Sequence, residues 1–177
     1  MQALARTARE VGYDAHLIEA VEAVNNRQKH RLFDKISNHF GGERNLAGKT
    51  IAIFGLPGAY TPTCSAKHVP GYVEKFNQFK AAGVDEIWCV SVNDAFVMGA
   101  WARDQKTEGK VRMLADGSAD FAKATGLTLD LTARGMGLRS NRYSMLVKNG
   151  QVTALNIEGP GKFEVSDAGT LLAQAQA

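Results

Sequence analysis

Lys49-Thr50-Ile51-Ala52-Ile53-Phe54-Gly55-Leu56-Pro57-Gly58-Ala59-Tyr60-Thr61-Pro62-Thr63-Cys64-Ser65 holds the order of elements on which the fold turns. From Ile51 to Leu56 the chain is an unbroken run without a charged residue, closed by Pro57. A strand that is apolar on both faces belongs in the middle of a covered sheet. Residues 57–63, rich in Pro, Gly and Thr, read as a loop. A helix is expected from Cys64 to Ala82. Val69, Tyr72, Val73, Phe76 and Phe79 give it an apolar stripe, Pro70 a kink and Gly83 a stop.

Downstream, Glu86-Ile87-Trp88-Cys89-Val90-Ser91-Val92 repeats the buried-strand pattern, and Asp94 is placed to cap a helix carrying Phe96, Val97 and Trp101. Residues 111–114 read as a short strand and 118–125 as a short helix. Arg142–Val147 and Gln151–Ile157 flank Lys148-Asn149-Gly150, and an Asn-Gly pair between two such runs is a hairpin signal. Ser166 is expected to cap a last helix through Leu171 and Leu172. Alternating strands and helices that end in a hairpin and a helix predict an α/β fold: a thioredoxin-like sandwich, with a mixed central sheet and helices on both faces. Upstream, Leu4, Ala8, Val11, Ala15 and Ile18 share a helical face, and an apolar series continues to Ile36 before Gly41-Gly42. Residues 1–45 are therefore expected to form a helical N-terminal extension, and 46–177 the main domain.

The remaining composition narrows the function. At 177 residues, 45% hydrophobic and 22% charged, the chain can build a core without disulfide staples. The net charge of +3 is not gathered into a basic block, which argues against nucleic acid as a partner. No run approaches the ~20 apolar residues of a membrane span. The first ten residues lack the apolar core of a secretory signal, and Glu10, Asp14, Glu19 and Glu22 are too many acids for a transit peptide. A cytoplasmic location is the expectation. The two cysteines, Cys64 and Cys89, do not form a secreted disulfide framework.

Cys64 enters the first turn of a helix from a loop. That turn has backbone N–H groups without intrahelical acceptors and the positive end of the helix dipole. Helix N-termini and nearby cations are the usual means of lowering a cysteine pKa, and the thiolate is the nucleophile. The alternative is a small buried residue that starts a helix. Pro57 can shield such a site, and Thr61, three residues before Cys64, can bring a hydroxyl that both donates and accepts. Cys89 lies between Trp88 and Val90 in an apolar strand and reads as packing, with a resolving role as the alternative.

Pro57-Gly58-Ala59-Tyr60-Thr61-Pro62-Thr63-Cys64 resembles the Pro-x-x-x-Thr-x-x-Cys motif of peroxiredoxins. Ser65-Ala66-Lys67-His68-Val69-Pro70-Gly71-Tyr72, Val90-Ser91-Val92-Asn93-Asp94-Ala95-Phe96-Val97-Met98, Leu138-Arg139-Ser140-Asn141-Arg142-Tyr143-Ser144-Met145 and Asn156-Ile157-Glu158 are similar to the type II, atypical type-five branch. The resemblance covers roughly residues 46–175. It implies reduction of hydrogen peroxide and organic hydroperoxides, with Cys64 as the peroxidatic cysteine and Thr61 as its hydroxyl partner. The family's catalytic arginine falls on Arg142, with Arg139 and Arg134 as the possible mis-assignments. Cys64 would become a sulfenic acid that a thiol reduces, without a metal or organic cofactor. With no cysteine after Cys89, the implied reductant is external: glutathione with glutaredoxin, or thioredoxin. A homodimer is also implied. A redox sensor or chaperone-like protein switched at Cys64 would use the same cysteine.

Other signals are weaker. His68, four residues after Cys64, reads as a packing or surface histidine, because no second half of a zinc site is evident. Gly42 to Thr50 fails as a phosphate loop, in both its glycine spacing and its position ahead of a strand.

Overall fold

Thr50–Leu56 forms strand β1, as its apolar run predicts. It is followed in chain order by β2 (Glu86–Ser91), β3 (Val111–Ala115), β4 (Thr128–Leu131), β5 (Gly137–Ser140), β6 (Tyr143–Lys148) and β7 (Gln151–Ile157). These belong to a computed structural model that describes residues 47–177, within the compact unit Arg44–Ala177. The helical extension expected over 1–45 lies outside the described residues. Five strands form a sheet in the order β3-β2-β1-β6-β7. β1, β2 and β3 run parallel, whereas β6 is antiparallel to both β1 and β7. The fold is thus an α/β thioredoxin-like sandwich with a mixed sheet.

Parallel neighbours need a crossover, and right-handed crossovers place their helices on one face. The segments after β1 and β2 do so. Ala52, Phe54 and Leu56, the alternate residues of β1, share one buried cluster with Val69, Tyr72, Phe79, Met98 and Trp101, and with Leu171 and Leu172 of the last helix. Ile51, Ile53, Trp88 and Met145 on the opposite face are also buried, which explains why β1 carries no polar alternation. Asn149 and Gly150 both have positive φ (52° and 75°), as the expected tight hairpin requires.

The expected single helix over 64–82 is divided. A π-helical turn, Cys64–His68, is followed by α1 (Val69–Glu74) and α2 (Phe76–Ala81). The Val69 N–H reaches back to the Cys64 carbonyl. Widening the turn ahead of Pro70 relieves the clash that a proline ring makes with the carbonyl four residues earlier. The bend itself falls at Lys75, not at Pro70. Tyr72 and Phe79 remain stacked across it, with ring centroids 5.6 Å apart. Next come α3 (Ala95–Asp104), α4 (Asp120–Thr125) and α5 (Ala168–Gln176). Asp94 caps α3 as expected, accepting from Val97 N–H at 2.8 Å. The cap of α5 is Asp167 rather than Ser166: its Oδ1 accepts from Gly169 and Thr170. Ser166 is committed elsewhere. β4 and β5 pair into a small separate sheet that the sequence did not signal.

Gly55 ties the fold to the region of interest. It stands opposite Tyr143 across the β1–β6 pair, and a Cβ there would collide with the fully buried Tyr143 ring. Gly55→Ala should therefore displace Tyr143, and with it the adjoining residue Arg142. We expect a loss of roughly 1–3 kcal/mol or more in urea unfolding, the range for an overpacked core.

Candidate active site

The loop after β1 is shaped by its own backbone and by the end of β2. Thr61 Oγ1 donates to the Gly58 carbonyl at 2.8 Å, and Tyr60 takes a left-handed φ of 61°. The Ala59 N–H donates to Asn93 Oδ1 at 2.9 Å, and Ser91 Oγ donates to the same oxygen at 2.8 Å. Asn93, just past β2, thus fastens the loop to the sheet. Pro57 is half-buried at the loop's entry. The Thr61 carbonyl accepts from Ser65 N–H at 3.0 Å, which makes Pro62 the first residue of the turn, the position where proline's missing N–H costs nothing. Cys64 lies in that first turn and is fully buried.

Arg142 stands just before β6, and its Nη1 donates to Cys64 Sγ at 3.4 Å. The register of β1 against β6 brings these two distant residues together, because Gly55 pairs with Tyr143 at the end of the sheet where the loop begins. The other two arginines are placed differently. Arg139 donates to the carbonyls of Met136 (2.7 Å) and Val92 (3.0 Å), bracing the neighbouring chain, and Arg134 is exposed in a 3-10 turn, Thr132–Arg134.

His68 also belongs to this site, although its sequence context suggested only packing or surface. It is fully buried, with Nδ1 3.1 Å from Arg142 Nη1 and Nε2 3.1 Å from the Ser166 carbonyl. A guanidinium can only donate and a carbonyl can only accept, so Nδ1 is the acceptor and Nε2 carries the proton. Burial, and then the Arg142 charge, lower its pKa from 6.5 to about 3, so the ring is neutral at physiological pH. Both nitrogens are occupied, which leaves none for a metal. Among the described residues, no cluster of three His, Cys, Asp or Glu side chains could hold a metal ion. The Phe163 ring lies 5.0 Å from His68 in an edge contact, with Arg142 5.6 Å from its centroid. The one hint of His68 in the sequence was its four-residue spacing from Cys64. Nothing local pointed to Ser166 or Phe163.

Cys89 contrasts with Cys64. It lies inside β2, paired with Phe54 of β1 on one side and Met113 of β3 on the other. It is fully buried, and burial pushes its thiol pKa well up. A neutral thiol inside a central strand is a poor nucleophile. Chemically, then, the site is one sulfur at a helix start, one guanidinium in contact with it and a threonine hydroxyl in the same loop.

Known proteins resemble this chain. Residues 33–172 match the Redoxin family. The chain is 51% identical over 126 residues to Peroxiredoxin-2C of Oryza sativa subsp. japonica, spanning 71% of this chain and 78% of that protein. Peroxiredoxin-2B of Arabidopsis thaliana is 49% identical over the same shares of the two chains. The crystal structure of reduced Prx3 from Vibrio vulnificus in complex with hydrogen peroxide is 53% identical, with a TM-score of 0.71, covering 75% of this chain and 83% of that one. With a cysteine and an arginine side by side at the mouth of a thioredoxin-like sheet, and with these relatives, the chain belongs to the peroxiredoxin family of thiol-dependent peroxidases.

Proposed function

We propose that the protein reduces hydrogen peroxide and organic hydroperoxides at Cys64 and is recycled by an external thiol, glutathione with glutaredoxin. The observation that carries this reading is the 3.4 Å contact between Arg142 Nη1 and Cys64 Sγ. The likeness to a peroxiredoxin crystallised with hydrogen peroxide supports the choice of substrate. In this reading the Cys64 thiolate attacks one peroxide oxygen. An S–O bond forms, the O–O bond breaks, and two electrons pass from sulfur to the leaving oxygen. That oxygen departs as hydroxide or alkoxide and takes a proton from solvent, leaving a sulfenic acid.

Arg142 stabilises the charge that moves from sulfur to oxygen, since its planar fork can donate to both. The Thr61 hydroxyl has its proton engaged by Gly58, so toward a peroxide it offers lone pairs that accept the O–H. Pro57, at the loop's entry, limits water around the sulfur.

The position of Cys89 supports an external reductant. A disulfide needs Cα atoms about 4.4–6.8 Å apart with suitably aimed side chains. Cys89 lies in β2, a strand hydrogen-bonded to a neighbour on each side, so it has little freedom to move toward Cys64. Glutathione would displace the sulfenic hydroxyl as water and form a mixed disulfide. A glutaredoxin thiolate would then attack the glutathione sulfur and release Cys64.

Three outcomes are expected. Cys64→Ser should abolish peroxide turnover while Cys89→Ser largely preserves it, and peptide mass spectrometry after one equivalent of peroxide should find oxidation on Cys64. Oxidation mainly at Cys89 would contradict the assignment. Arg142→Ala should slow single-turnover oxidation roughly 100-fold or more, and Arg142→Lys, charged but without the fork, should remain impaired. A wild-type rate in Arg142→Ala would place the arginine's role elsewhere. Finally, intact-mass measurement of peroxide-treated protein should show a glutathione adduct when glutathione is present. A quantitative loss of two hydrogens within one chain, with no adduct, would make Cys89 the resolving cysteine.

A further inference from the structure

Glu158 follows β7 and reaches the active site through a closed series of hydrogen bonds. Its backbone N–H donates to the Arg142 carbonyl at 2.9 Å. Its carboxylate is buried, and the single oxygen Oε1 accepts from the N–H groups of Glu164, Val165 and Ser166, each at 2.8 Å, and from Ser166 Oγ at 2.9 Å. These bonds lower its pKa against the opposing effect of burial and hold it ionised. An oxygen that accepts four hydrogen bonds, three of them from consecutive backbone amides, fixes the shape of a loop. The segment 158–166 is thereby folded back onto the residue that begins it.

What that loop presents is not neutral to the site. The Ser166 carbonyl accepts from His68 Nε2 at 3.1 Å and from Tyr72 Oη at 3.0 Å, so it sets which His68 nitrogen keeps the proton. With Nε2 protonated, Nδ1 is free to accept from Arg142 Nη1, the nitrogen that touches the Cys64 sulfur. Phe163, in the middle of the same loop, lies against both His68 and Arg142. The series runs from the Arg142 backbone through Glu158, Ser166 and His68 back to the Arg142 side chain. The carboxylate is kept two residues away from the guanidinium, and a neutral imidazole makes the contact. The arginine is thus oriented without its charge being cancelled by a direct ion pair.

We propose that Glu158 is a positioning residue for Arg142: through the Ser166 carbonyl and His68 it aims the guanidinium at Cys64 while leaving it fully charged. This rests on the reading of Cys64 and Arg142 as the peroxide-reacting pair. The test is a double-mutant cycle on the full chain, followed by stopped-flow oxidation with hydrogen peroxide. A parallel readout is iodoacetamide alkylation of Cys64 at a pH where its thiol is fully ionised, a reaction that needs no guanidinium fork. Glu158→Ala should slow peroxide oxidation about 10-fold or more, the scale of a small misplacement of a reacting group, and change alkylation less than about threefold. Glu158→Gln keeps an acceptor oxygen for the same amides and should recover most of the loss. In the Arg142→Ala background, Glu158→Ala should change the peroxide rate less than about twofold, because the residue through which it acts is gone. Should Glu158→Ala fail to fold by circular dichroism, His68→Gln carries the same test. It can still donate to Ser166 but offers no acceptor at the Nδ1 position, and it should show the same loss and the same dependence on Arg142. If Arg142→Ala is slow while Glu158→Ala, or His68→Gln in its place, reacts like wild type or costs the same factor in both backgrounds, the inference fails and the reading of the site stands. If Arg142→Ala itself reacts like wild type, that reading fails and the inference with it.

Discussion

Holding a guanidinium against a buried sulfur is the constraint around which the rest of this structure is arranged. Arg142 is partly withdrawn from water, and each of its donors then needs a partner or an exit to solvent. A carboxylate would be the usual partner, but a direct ion pair would cancel the charge. The partners found here are the Cys64 sulfur, the Nδ1 atom of a neutral histidine and the face of an aromatic ring. His68 can serve only because burial and the nearby cation keep it unprotonated. The arginine's charge thus helps to keep neutral the ring that accepts its hydrogen bond.

The sheet makes this meeting inexpensive. β1 and β2 end, and β6 begins, at one end of the sheet. The loop to Cys64, the Asn93 anchor and Arg142 are consequently neighbours before any side chain is considered. In open α/β sheets the crevice beyond the carboxyl ends of the parallel strands is where ligands bind, and the sulfur sits there. Locally, the π-helical turn adds one residue to the ladder between Cys64 and Val69. That widened turn carries His68 into the buried cluster beside Phe54, 4.9 Å between ring centroids, and on toward Arg142.

What could be read from the sequence was what is encoded locally. The Ile51–Leu56 run, the loop chemistry from Pro57 to Thr63, the Asp94 cap and the Asn149-Gly150 turn each announce themselves within a few residues. Arg142 was reachable only by resemblance, since its partner is 78 positions away and Arg139 and Arg134 looked no different in composition. Ser166 seemed a cap because Ser and Asp167 are interchangeable signals at that spot. The deciding fact, that Glu158 already held the serine's N–H and hydroxyl, is tertiary. The broken helix had a visible cause in Pro70, yet the bend fell at Lys75. The β4–β5 pair was missed because four-residue strands beside a glycine-flanked turn look like loop.

The close approach of Tyr143 to Gly55 reaches beyond this one molecule. A tyrosine ring that occupies the space a side chain would need on the neighbouring strand leaves no room for one, so the two positions cannot drift independently. Among relatives that keep the β1–β6 register, a residue larger than glycine at position 55 should be accompanied by one smaller than tyrosine at 143. Such covariation would trace the strand pairing in sequences that have no structure, and would point to the neighbouring arginine.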